Sequence, residues 1–279
     1  MAFANLNTRV KTAAILIAVL SCFYFLARYT EIGVTALYIC SVVITALCAF
    51  EYCTFSAPTY GGKLHKWLQF TILILPVLMI SSSINSTMPA IQSGFSGYLI
   101  STCLLFILLP LVARDDLARF DTSVLVAMFH CGLGGMTLGV LALQPHGADL
   151  IVWLALVVFV GDTAAYFAGQ KLQGPKLAPG ISPGKTISGS IVAVIASVVI
   201  GVITARLLHC DGLTSWQVAL FCTFLSFVAQ SGDLAKSYLK RTFGTKDSGG
   251  LLPGHGGVYD RVDGFLAGAI VLCLGVVLH

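Results

Sequence analysis

Nine apolar runs dominate this chain, at roughly 12–29, 33–50, 67–83, 97–113, 123–143, 150–169, 188–208, 215–232 and 264–278. Most approach the ~20 residues that a helix needs to cross the hydrocarbon core of a bilayer. Charged side chains make up 10% of the sequence and hydrophobic ones 57%. A soluble domain carries about 25% charged residues, so an ordinary wet surface is excluded. The sequence predicts an all-α, polytopic integral membrane protein with about nine transmembrane helices. The first run follows Arg9 and Lys11 and is followed by no clear small-residue cleavage site, so it is read as a retained helix.

The basic residues give this reading an orientation. With the N-terminus in the cytoplasm, Arg9, Lys11, Lys63, Lys66, Arg114, Arg119, Lys171, Lys176, Lys185, Lys236, Lys240, Arg241, Lys246 and Arg261 all fall inside. Only Arg28 and Arg206 fall outside, so 14 of the 16 cations obey the positive-inside rule. An odd number of spans then places His279 outside. The membrane is expected to be a bacterial inner membrane.

The nine cysteines, at 22, 40, 48, 53, 103, 131, 210, 222 and 273, form no C-x-x-C pair and mostly lie in apolar runs. They read as small packing residues rather than as a disulfide or zinc framework. Residues 1–148 are expected to be scaffold helices with almost no intramembrane charge. There Gly132, Gly134, Gly135 and Gly139 would let neighbouring backbones approach closely, and His130 reads as a packed core residue. Residues 149–279 are expected to form the catalytic region, with cytoplasmic loops at 170–187 and 233–263.

Chemistry concentrates in Gln230–Gly264. These 35 residues hold four of the twelve acids (Asp233, Asp247, Asp260, Asp263) and five of the sixteen Lys and Arg, among many glycines. Carboxylates, cations and open backbone amides together suit a metal-bound phosphate. Asp260 and Asp263, three apart at the start of the last helix, should share one face. Asp162, at the end of the sixth run, is an ionisable residue at membrane depth, a position that usually serves function. The loop 174–189 nearly spells a phosphate-binding loop, but Pro179 stands where the first glycine belongs and no strand precedes it. What remains is Ser182-Pro183-Gly184-Lys185-Thr186 opening a helix, whose free N–H groups and lysine favour phosphate.

The pattern Ser237-x-x-Lys240-Arg241, four residues, Lys246-Asp247-x-Gly249, then Pro253-x-His255-Gly256-Gly257-x-x-Asp260-Arg261-x-Asp263 resembles the signature of the phosphatidate cytidylyltransferase (CDP-diacylglycerol synthase) family. Ser182-Pro183-x-Lys185-Thr186 resembles that family's second segment. Ser188 stands where the family usually has Glu, and Lys236 at a position often acidic.

The resemblance implies transfer of CMP from CTP to phosphatidate at a cytoplasmic-face site. It implies Mg²⁺, with Mn²⁺ as a substitute, on Asp260 and Asp263 as principal ligands, completed by Asp233 and Asp247. Asp233, Asp260, Asp263 and His255 would form the catalytic set, with His255 either contacting phosphate, transferring a proton or only bracing its loop. Lys240, Arg241, Lys246 and Arg261 would hold phosphates, helped by Ser182, Lys185 and Thr186. Membrane lipid is the expected partner and nucleic acid is not; Gly-rich helices are compatible with a homodimer.

Two other classes stay open on charge placement alone. A polyprenol kinase, or a synthase of another CDP-lipid, would share the placement but not the complete His-Gly-Gly-x-x-Asp-Arg-x-Asp segment. A transporter would carry its charges near the midplane, often within internal repeats, and no repeat is found.

Overall fold

The computed structural model describes residues 21–22, 24–26, 28–60, 70–71, 73–75, 77–78, 126–208, 213–245, 248–251 and 256–278. The expected span 97–113 lies outside the described residues, as does most of 12–29 and 67–83. Helix α1 covers Glu31–Tyr60. A π-helical segment, Met128–Leu133, leads into α2, Gly134–Ala142. Then come α3 (Gly147–Leu172), strands β1 (Lys176–Ala178) and β2 (Ser182–Thr186), and α4 (Ile187–Leu207). Two further helices, α5 (Ser215–Thr242) and α6 (Tyr259–Leu278), complete the described chain.

Among the described residues, four helices are long and apolar enough to cross a bilayer: Ile32–Ser56 within α1, then α3, α4 and α5. The outer face of α4 supports the membrane assignment. Ile191, Ile195, Val199 and Ile203 recur every fourth residue and are each more than half exposed. A stripe of that size facing water would be an aggregation hazard; facing acyl chains it is a normal lipid surface. This is a helical integral membrane protein.

Helices α1, α3 and α5 each bring a polar end past the apolar run. The apolar run 33–50 continues as helix to Tyr60, and 215–232 continues to Thr242. Helix α3 extends ten residues beyond Asp162, to Leu172, and ends on Gln173 in a left-handed conformation at φ 45°. At about 1.5 Å per residue, Asp162 therefore sits about 15 Å along the axis from the end of its helix.

The described helices form one packed cluster. α3 lies along α4, α4 against α5, α5 against α6, and α6 against α2, which in turn meets α1. Glycines set the closest crossings, as the sequence predicts for Gly134, Gly135 and Gly139. A Cβ at Gly134 would lie 2.9 Å from the Cβ of Leu266 on α6, and one at Gly135 would collide with Thr45 of α1. His130 is buried in this core, its Nδ1 2.8 Å from the hydroxyl of Tyr259.

The loop between α3 and α4 departs from the expectation of irregular structure. It folds into an antiparallel hairpin pairing Lys176 with Thr186 and Ala178 with Ser182. Pro179 and Gly180 make its turn, closed by the Ile181 N–H donating to the Ala178 carbonyl at 3.2 Å. The residue that spoils the phosphate-loop motif is thus a turn former.

Candidate active site

Helix α5 carries the middle of the site. Asp233, Lys236 and Lys240 lie three and four residues apart, and so on one helical face. Lys236 is the hub: its Nζ is 3.3 Å from Asp233 Oδ1, 3.3 Å from Asp260 Oδ1, and in direct contact with Asp263 Oδ2. It is almost completely buried. An ammonium is tolerated there only because three carboxylates surround it.

Helix α6 supplies the other two acids. Asp263 is buried, and its Oδ1 accepts the Gly264 N–H at 2.8 Å. Asp260 sits in the first turn, ahead of the apolar run. Its Oδ1 accepts from Lys240 Nζ at 2.6 Å; its Oδ2 accepts the Ser248 N–H at 3.0 Å and the Gly257 N–H at 3.4 Å. Burial alone would raise the Asp260 carboxyl. The Lys240 hydrogen bond, the Ser248 N–H and the Lys236 charge outweigh it and hold the group below the ordinary carboxylate range.

The hairpin closes the third side. Lys185 Nζ lies 2.7 Å from Asp233 Oδ2 and 3.5 Å from the Gln230 carbonyl. Thr186 caps α4, its hydroxyl accepting the Gly189 N–H at 3.1 Å. Ser182 opens β2, half-buried at the hairpin. Arg241, exposed, donates from Nε to the Ile181 carbonyl at 3.3 Å and so ties α5 to the hairpin. Arg261 is exposed in the first turn of α6. Asp162, exposed on α3, lies within electrostatic reach of Asp233, Lys185 and Lys236. Lys246, Asp247 and His255 lie outside the described residues.

Two site residues escaped sequence reasoning. Lys236 stands in the sequence as one of the inside cations and at a position often acidic in the family; in the structure it contacts three aspartates. Glu51 is an acid among N-terminal helices that are expected to carry almost no intramembrane charge. It lies within the candidate span Ile32–Ser56, is 2% exposed, and reaches the start of α6. Its signal was an acid directly after an apolar run, followed by more helix rather than a loop.

Three independent parts of the chain, the hairpin, the polar end of α5 and the start of α6, thus converge on interleaved aspartates and lysines. Lys185, Lys240, Asp260 and Asp263 come from the motifs quoted above, and Asp233 and Lys236 lie just ahead of the longer one. A cytidylyltransferase family model matches residues 7–279. The chain belongs to the cytidylyltransferase family.

One relative matches nearly the whole length, and two others match shorter parts. A phosphatidate cytidylyltransferase of Brucella suis biovar 1 is 35% identical over 274 residues, covering 97% of this chain and 93% of the relative. One from Staphylococcus haemolyticus is 33% identical over 198 residues, covering 71% of this chain and 74% of its own. One from Helicobacter pylori is 44% identical over 130 residues, covering 46% of this chain and 47% of its own. This chain is therefore a nucleotidyltransferase of the membrane.

The donor set of this cytidylyltransferase also bears on the metal. Among the described residues, no group of three or more His, Cys, Asp or Glu side chains is placed to hold an ion. The acids are aspartates, interleaved with lysines. That set fits a hard cation taking one or two protein carboxylates and completing its shell with water and phosphate, as Mg²⁺ does. It does not fit a closed structural site.

Proposed function

We propose that this protein is a phosphatidate cytidylyltransferase. It joins CTP and phosphatidate into CDP-diacylglycerol and pyrophosphate, at a site on the cytoplasmic face of a bacterial inner membrane. The observation that carries this reading is the meeting of Lys185, Asp233, Lys236, Lys240, Asp260 and Asp263 in one cluster at the polar ends of membrane helices. The orientation, nine spans with the N-terminus inside and the C-terminus outside, rests on the basic residues.

The attacking group is a phosphate monoester oxygen of phosphatidate, with a second pKa of about 6. It is largely ionised at neutral pH, so no strong general base is required. A bond forms between that oxygen and the α-phosphorus of CTP as the bond from the α-phosphorus to its bridging oxygen breaks, and pyrophosphate leaves with the electron pair. The task for the protein is to bring two anions together and stabilise the charge on the leaving group.

Lys185 and Lys240 are held by Asp233 and Asp260 and so enter the reaction already oriented. With Arg241, Lys246 and Arg261 they would bind phosphate oxygens, while Ser182 and Thr186 order the hairpin beside them. His255 would contact a phosphate or carry a proton. One or two of Asp233, Asp247, Asp260 and Asp263 would hold Mg²⁺ directly, with water and phosphate completing its shell, and Mn²⁺ is expected to substitute. When bound, the ion supplies Lewis-acid stabilisation of the α-phosphate and of pyrophosphate.

Purified protein given CTP and phosphatidate should form CDP-lipid and pyrophosphate in equal amounts. EDTA should stop the reaction and Mg²⁺ or Mn²⁺ restore it. Transfer of the γ-phosphate with release of CDP would instead mark a lipid kinase.

A further inference from the structure

Glu51 belongs to none of the motifs that define the site, and it comes from the part of the chain expected to be scaffold. Yet its carboxylate accepts three bonds across about 200 positions of sequence. Oε1 takes the Val258 N–H at 2.9 Å; Oε2 takes the Tyr259 N–H at 2.9 Å and lies 3.0 Å from the Ser248 hydroxyl. The first two donors belong to the start of α6, where backbone N–H groups have no partner within the helix. A carboxylate there also complements the helix dipole.

Helix capping alone does not account for the arrangement. Ser248 lies at the other end of the loop, and its hydroxyl sits between two carboxylates, 3.0 Å from Glu51 Oε2 and 2.9 Å from Asp260 Oδ2. Two glycines of the motifs make room for the same carboxylate. A Cβ at Gly257 would lie 2.4 Å from Glu51 Oε2, and one at Gly249 would lie 2.9 Å from Oε1. Glu51 therefore grips both ends of the segment from Ser248 to Tyr259. Asp260 follows directly, and Asp263 lies one helical turn on.

We infer that Glu51 is a positioning residue for the transfer reaction: it fixes both ends of the motif loop on α6 and thereby places Asp260 and Asp263. The inference rests on the function proposed above. Glu51 need not touch either substrate. Its effect passes through Ser248, Val258 and Tyr259.

Three full-length proteins test this: wild type, Glu51→Gln and Glu51→Asp, each in the same detergent. The Gln side chain keeps the shape but turns an N–H₂ group toward a donor, so one buried bond must fail. The Asp side chain keeps two acceptor oxygens. Hydrogen exchange at Val258 and Tyr259 should quicken at least about tenfold in Glu51→Gln. Exchange in the middle of α6, at Ala269–Leu272, should stay unchanged. For Glu51→Gln, kcat should fall at least about tenfold with KM for CTP within about threefold; Glu51→Asp should recover most of the loss. Unchanged exchange at Val258 and Tyr259, equal loss of protection through all of α6, or a kcat within about threefold of wild type would each overturn the assignment. If wild type itself does not join CTP to phosphatidate, the proposed function falls, while the exchange result still decides whether Glu51 holds the loop.

Discussion

The ammonium of Lys185, on the hairpin after α3, lies 2.7 Å from the carboxylate of Asp233 on α5. The two residues are 48 positions apart, Lys185 in the shorter motif and Asp233 four residues ahead of the longer one. Their contact joins the short Ser-Pro-Gly-Lys-Thr segment to the main cluster. Lys185→Met should therefore reduce kcat/KM for CTP by about 100-fold, the usual cost of one lost charge-stabilising group. Initial rates with purified protein at varied CTP would check it. A loss below about threefold would mean that Lys185 only holds the hairpin in place.

Lys236 is buried against Asp233, Asp260 and Asp263. Removing one member of a buried ionic group costs about 3–5 kcal/mol, because its partners keep their charge. Asp233 is about one-third exposed, which reduces its share of that cost. Lys236→Met is expected to lower the thermal midpoint of the detergent-solubilised protein clearly. Lys240→Met, which removes a partner of Asp260 only, should lower it less. Equal midpoints for the two variants would contradict the hub role of Lys236.

The polar ends of the helices are expected to face the cytoplasm. A reporter active only outside the cytoplasm should give signal when fused after His279 and stay silent when fused after Gly249. The opposite pattern would invert the orientation, and two silent fusions would remove one span.

Much of this arrangement is legible in the sequence, and the limits have physical causes. The apolar runs 150–169, 188–208 and 215–232 locate α3, α4 and α5, because lipid demands long apolar helices. Their ends are less legible. A helix continues past the lipid wherever its polar residues find partners, so Lys236 and Lys240 extend α5 while pairing with α6. Asp260 and Asp263 share a face, as their spacing requires, and both meet Lys236. Glu51 could not be placed. Its partners are mostly backbone N–H groups, which carry no sequence signal, and they lie about 200 residues away. The hairpin was missed because its strands are three and five residues long and hold a proline and a glycine.

The central claim is that the aspartate cluster is where the chemistry occurs, and turnover of a folded Asp263→Asn protein tests it most directly. The substitution keeps the shape of a side chain buried against Lys236 and removes its charge. It should leave the protein monodisperse in detergent and reduce kcat for CDP-lipid formation at least about 100-fold. A folded Asp263→Asn protein turning over within about tenfold of wild type would contradict the account.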